Sequence, residues 1–355
     1  MSKEIKNEVI NIKGIEFKIE DLETIKLEDL FSASVSPGHI FVRSRVNGHP
    51  FLLLRASDLI EDEFIRKYSS AGITSFYILK LVNSGNVTRI KNLLRELKNV
   101  NSSVEAVKAR EKILDEFFKV GRVTTSTHCL DFIAACFDEF NLVSQNSLEK
   151  YYGLSTHFYQ RSLVLSTWAV VISLLNGSID YYFIQDIFNT AFYLDIGIVE
   201  DAYSFHLFKA CEEERSQVGG GVTFLKSIGR PQNEIDSFLN HPINSYKQME
   251  KVIGKFRYPE IANFVQYHHE SSSGDGFPFS LNRTNFSSFE MILSLVDKTV
   301  PYDEIVFNQN FNVFENCLEQ LGSSKEKLFT KLCDKLMKNI NVIKHNIYNK
   351  EYASG

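Results

Sequence analysis

Residues 39–54 read HIFVRSRVNGHPFLLL, two β-rich runs on either side of Asn47-Gly48. Both positions of that dipeptide tolerate positive φ, so it predicts a hairpin. The polar stretch Glu61 to Ser70 predicts a helix, and Gly72-Ile73 then introduces another apolar run, Ser75 to Leu81. Strands, a helix and a further strand in this order predict a small α+β domain that ends near Asn83-Ser84-Gly85. From Val87 the period changes. Ile90, Leu93, Leu94 and Leu97 recur at helical steps, as do Val107, Ile113, Leu114 and Phe117. Asn99 to Ser103 breaks this run into two helices, with Ser103 and Glu105 suited to the second N-terminus. Leu130 to Phe140 predicts another.

After Ser155 nearly every segment has the helical period. The breaks fall at Asn176-Gly177, Gly219 to Gly221, Gly229 to Pro231 and Gly274 to Pro278, and no repeat is apparent. The expected architecture is mostly α: a small α+β regulatory or partner-binding domain over residues 1–86, a helical connector over 87–150, and an all-α domain over 151–355. The apolar stripe of the connector fits a homodimer seam as well as an ordinary core.

Composition narrows the class. A chain of 355 residues exceeds the roughly 250–300 at which single cores stop growing, which favours more than one domain. With a net charge of −5 and no basic tract, it has no nucleic-acid footprint. Its five cysteines form no CxxC pair, which argues against a disulfide framework and for a reducing compartment. The N-terminus has no apolar core of signal-peptide length, and the most apolar run, Ser162 to Leu175, is too short to cross a bilayer. The expectation is a cytoplasmic protein that engages neither membrane nor nucleic acid. His39 and His49 read as surface residues.

The chemistry lies in the second half. Asp195 follows an apolar run, His241 precedes Pro242, and His268-His269-Glu270 is followed by Gly276-Phe277-Pro278; Asp297 ends an apolar helical stretch. A buried carboxylate costs several kcal/mol unless a cation or hydrogen-bond donors offset it. Imidazole combined with carboxylate suits iron, manganese or zinc.

The order Asp, His-Pro, His-His-Glu, Gly-aromatic-Pro, Asp resembles the HD-GYP family, whose members share a helical fold and usually hydrolyse cyclic di-GMP with bound metal ions. The family's His-Asp-Ile-Gly-Lys corresponds to Leu194-Asp195-Ile196-Gly197-Ile198, its His-Pro to His241-Pro242, and its last Asp to Asp297. Its His-His-Glu and Asp-Gly-x-Gly-Tyr-Pro correspond without a gap to His268-His269-Glu270 and Ser273-Gly274-Asp275-Gly276-Phe277-Pro278.

The departures are concentrated. Phe158 stands where the family has its first His ligand, three residues before Arg161, and the neighbouring His157 is turned away by one helical step. Leu194 replaces the His of the His-Asp pair, Ile198 replaces the Lys, and Phe277 lacks the tyrosine hydroxyl. Ser273 replaces an Asp, and the stretch after Asp297 lacks the basic residues that grip phosphates. The resemblance therefore implies a metal-site set of Asp195, His241, His268, His269 and Asp297 that keeps ligands for one transition metal, with the neighbouring position depleted; the other reading is a vestigial site kept by packing alone, with no metal. Its leading implication is a non-hydrolytic regulatory module in cyclic di-GMP signalling, partnered by a diguanylate cyclase or another cyclic di-GMP protein. The alternatives are a residual metal-dependent phosphodiesterase acting on cyclic di-GMP or another phosphodiester, using Glu270 or Asp297 as base, and a receptor that binds cyclic di-GMP without cutting it.

Overall fold

The Asn47-Gly48 turn closes a hairpin between β4 (Gly38–Arg43) and β5 (Pro50–Leu54), with Gly48 at φ 70°. These and the other elements come from a computed structural model. It describes residues 9–12, 15–31, 35–44, 46–56, 58–80, 84–120, 128–200, 229, 231–271, 274, 276–283, 285–300, 318–319 and 327–353. Ser273, Asp275, Cys211, Cys317, the Gly219–Gly221 break and the stretch 301–313 after the last Asp lie outside them.

The N-terminal part is an antiparallel sheet of order β3-β6-β4-β5, with β3 at Glu23–Lys26 and β6 at Ser75–Lys80. α1 (Leu27–Leu30) and α2 (Asp62–Ser70) accompany it. A separate hairpin pairs β1 (Val9–Ile12) with β2 (Ile15–Lys18). The pattern over residues 9–30 predicts no element, because β1 and β3 bury no side chain and so leave little alternation to read. The sheet's own core is Leu27, Leu30, Ile40, Leu54, Ile60, Phe76 and Ile78.

Among the described residues the rest is mainly helical: α3 (Ser84–Lys98), α4 (Ser103–Val120), α5 (His128–Phe140), α6 (Gln145–Leu154), α7 (Thr156–Asn176), α8 (Tyr181–Tyr193), α9 (Gln232–Met249), α10 (Ser288–Thr299) and α11 (Lys327–Ala353). The chain is thus mostly α with a small α+β region. A single apolar cluster runs from Ile90 on α3 to Ile347 on α11 and reaches into the N-terminal part through Val35, Ala56 and Leu59. The stripe of Ile113, Leu114 and Phe117 is buried within this cluster.

α7 is the axis of the bundle. Ser155 caps its start by accepting the amide of Phe158, and Gly177 ends it in the left-handed region at φ 108°. Every side chain from Phe158 to Leu175 is buried, so the helix has no polar face. A helix apolar all round belongs in a core or a membrane. At 21 residues it is long enough for either, but its most apolar window is wholly enclosed by the fold.

The N-terminal part docks on the start of α7. Gln160 donates to Asp58 at 3.5 Å, and Tyr152 hydrogen-bonds the same carboxylate. Burial raises the Asp58 pKa against these contacts. His39, read from sequence as a surface residue, is only partly exposed and accepts the amide of Ala56 at 3.1 Å. Burial, helped by Arg55, lowers its pKa to about 4.

Candidate metal centre

Asp195 sits two residues beyond the end of α8, where the chain tightens into a 3-10 turn at Ile196–Glu200. Ser245 on α9 holds this turn from both sides: its hydroxyl donates to the Leu194 carbonyl and accepts from the Gly197 amide, both at 2.8 Å. Gly197 permits the approach. A Cβ there would lie 2.2 Å from the His241 carbonyl oxygen and 2.3 Å from the Ser245 nitrogen. The acidic residue is thereby set against the helix that carries His241.

His241 owes its orientation to its neighbour. Pro242 lies inside α9 and has no N–H, so the carbonyl four residues earlier, that of Phe238, loses its helical donor. The His241 Nδ1 meets that oxygen at 2.5 Å. His268 is held in the same way, with Nδ1 2.7 Å from the Val265 carbonyl. A ring nitrogen facing a carbonyl must carry the proton, so each Nε2 presents a lone pair. The two Nε2 atoms face each other at 3.4 Å, and they lie 3.7 Å (His241) and 3.9 Å (His268) from Asp195 Oδ1. Adding His269, the four ligand atoms fall within 4.8 Å of one another, and all four residues are buried.

Converging lone pairs and a carboxylate repel one another unless a cation lies between them. A tetrahedral ion with bonds of about 2.1 Å needs ligand atoms about 3.4 Å apart, close to the separations found. Backbone carbonyls that fix the imidazole tautomer are the usual support of metal-bound histidine. The group fits a divalent transition metal.

The remaining residues define its walls. His269 stacks on Phe277 with centroids 4.4 Å apart, and Phe277 also contacts Phe238. The ring is therefore used as a packing wall. Glu270 is spoken for by the loop that follows it: its two oxygens accept the amides of Phe279 and Leu281, each at 2.7 Å. Gly276 packs on the same segment, where a Cβ would lie 2.4 Å from the His269 carbonyl oxygen. Phe158, Leu194 and Ile198 are all buried members of the apolar core.

Asp297 stands beside this group, and its partner is Arg161. The guanidinium, with no exposed surface, bridges Asp195 Oδ2 and Asp297 Oδ1, the latter at 2.8 Å. It also donates to the backbone carbonyls of Asp297 at 3.0 Å and Val300 at 3.1 and 3.2 Å, at the C-terminal end of α10. There the helix dipole adds to its stabilisation. Burial opposes ionisation of Asp297, but the positive charge gathered around it, Arg161 foremost with His268 and Lys298, together outweighs burial and holds the carboxyl below the usual range. From sequence Arg161 served only to mark a register. The sign of its role was its solitude, since α7 carries no other lysine, arginine, aspartate or glutamate and a buried cation demands anions.

Pro242→Ala is expected to restore a backbone N–H to the Phe238 carbonyl and set it in competition with His241. Supporting contacts of this kind change metal affinity by about 10–100-fold. Equilibrium dialysis with manganese should show a loss in that range with the helical circular dichroism retained, and undiminished affinity would refute the role given to the proline.

No protein-family model matches the chain, and no curated protein sequence matches it either. Among solved structures it is similar to Bd1817, a HDG"Y"P protein from Bdellovibrio bacteriovorus, at 13% identity. The overlap covers 91% of this chain and 99% of that one, with a TM-score of 0.33. Superposition at that level is too loose to carry an argument about fold or activity, so the reading of the centre rests on its own residues.

Proposed function

We propose that this chain is a non-hydrolytic signalling module built on an HD-GYP-like helical framework, with one transition-metal ion held by Asp195, His241, His268 and His269. The observation that carries this reading is the convergence of two carbonyl-oriented Nε2 lone pairs and Asp195 Oδ1 in a buried cluster. Bound there, a divalent ion supplies Lewis acidity and lowers the pKa of a coordinated water.

What the chain's own residues offer around the ion does not complete a hydrolase. Clamping a phosphodiester between paired ions requires a second set of ligands. Phe158 and Leu194 supply none, and Ile198 has no proton to give. The Glu270 carboxylate is engaged by two loop amides instead of facing a substrate. Each missing electrostatic element costs catalysis orders of magnitude. The motif order supports a place in cyclic di-GMP signalling, with a diguanylate cyclase or another cyclic di-GMP protein as partner. Phe279 and Leu281, 46% and 41% exposed beside the centre, supply an apolar contact surface for it.

The test is elemental analysis of the freshly purified chain together with a cyclic di-GMP turnover assay in added manganese or iron. One ion per chain and no turnover above background is the expected result. Turnover that disappears in His268→Ala would show that a working hydrolase survives.

A further inference from the structure

We propose that Asp186 is the brace that sets the two arms of the metal centre against each other, which makes it a positioning residue for the bound ion. The inference deepens the metal reading above and rests on it. One arm is α8, which leads to Asp195. The other runs from Arg257 through the 3-10 helix Pro259–Tyr267 and leads to His268 and His269. The arms meet at Tyr258. Its amide donates to Asp186 Oδ2 at 2.8 Å, its hydroxyl donates to Asp180 Oδ2 at 2.6 Å, and its ring centroid lies 6.2 Å from that of Phe183. Asp180, Phe183 and Asp186 recur at three-residue steps and so share one side of α8. None of the three belongs to the ligand group.

Asp186 is an unfavourable residue to bury, and that singles it out. Its carboxylate is enclosed, and among the described residues no lysine or arginine side chain pairs with it. Burial foremost, with the Asp180 and Glu260 carboxylates, raises its pKa to about 6 against the pull of the Tyr258 and Arg257 amides. The unfolded chain holds the same carboxyl near the ordinary value of about 3.9, so above pH 6 its charge costs stability. What the charge adds is grip, since a hydrogen bond to an ionised acceptor is roughly twice as strong as one between neutral groups. The second arm needs an outside anchor. A 3-10 helix has poor internal hydrogen bonds, and Pro259 at its start has no N–H to offer.

The experiment uses the full chain, stripped with a chelator and studied above pH 6. It reads manganese affinity by equilibrium dialysis, ligand geometry by the visible absorption of bound cobalt, and stability by urea unfolding. Asp186→Asn should be no less stable than the wild-type chain, yet bind manganese about tenfold more weakly and with altered cobalt bands. That is the lower end for supporting contacts, because Asp186 acts through the segment it holds. Asn189→Ala is the control. Asn189 lies on the same helix but braces the end of α5, donating to the Phe140 carbonyl and accepting the Leu142 amide, both at 2.9 Å. Its variant should lose stability and keep the wild-type affinity and cobalt bands. Wild-type affinity and bands in Asp186→Asn would overturn the brace while leaving the metal centre intact. Equal loss of affinity in Asn189→Ala would also overturn it, as a general effect of weakening α8. No ion on the wild-type chain would overturn the metal reading and this inference with it. Should Asp186→Asn fail to fold, Tyr258→Phe decides, because it removes only the hydroxyl bond to Asp180. Weaker manganese binding by that folded variant supports the brace, and unchanged binding refutes it.

Discussion

Asp195→Ala is expected to abolish metal binding and to destabilise the chain by about 3 kcal/mol, the lower end of the range for breaking a buried ion pair. Two losses coincide. One of the four converging ligands disappears, and the buried Arg161 loses one of its two carboxylate partners. Asp297 and the carbonyls of α10 still hold the guanidinium, which is why the lower end applies. Urea unfolding with and without manganese separates the two effects. In the wild-type chain, metal at about 100 times its dissociation constant adds about 2.7 kcal/mol to stability. In Asp195→Ala the curves with manganese and with chelator should coincide, both below the wild-type protein in chelator. A persisting gap between them would place the metal elsewhere in the chain.

Gly197→Ala should be about as damaging, for a purely steric reason. The added methyl would collide with the His241 carbonyl oxygen and the Ser245 nitrogen, which are backbone atoms unable to swing aside. Overpacking a rigid contact costs about 1–3 kcal/mol, and the upper end is expected here because the displaced backbone carries His241. The Ser245 bonds to Leu194 and Gly197 would be strained together, so Asp195 would move away from the histidines. Thermal unfolding and manganese dialysis should show stability and affinity falling together. Gly153→Ala supplies the contrast. It lies in α6 with open space around the Cβ position, and an alanine in a helix is favoured by about 0.5–1 kcal/mol. A Gly197→Ala chain with unchanged midpoint and metal affinity would show that α9 does not rest on this turn.

Much of the secondary structure was legible before any coordinates. Asn47-Gly48, the Glu61–Ser70 helix and the helical period after Val87 all appear close to where local pattern puts them, because turn chemistry and apolar spacing act over a few residues. The ligand types were legible for the same reason: histidines and aspartates in apolar runs have few comfortable fates. Weak alternation hid β1 to β3. The most apolar part of α7 looked too short to cross a bilayer, because Arg161 and Gln160 interrupt a helix that is buried from end to end.

The amino-acid sequence by itself determined which donors the chain has for a metal and that Phe158, Leu194 and Ile198 are apolar, since both are matters of residue type. Only the tertiary structure decided that Arg161 lies on Asp195 and Asp297, that Glu270 ties down its own loop, and that Pro242 frees the carbonyl orienting His241. The first two pairings join residues far apart along the chain or fix where a loop turns back, and no local periodicity encodes either. They follow from burial: inside a core a charge must find its counter-charge and an amide its acceptor, and the fold alone selects which partners are within reach.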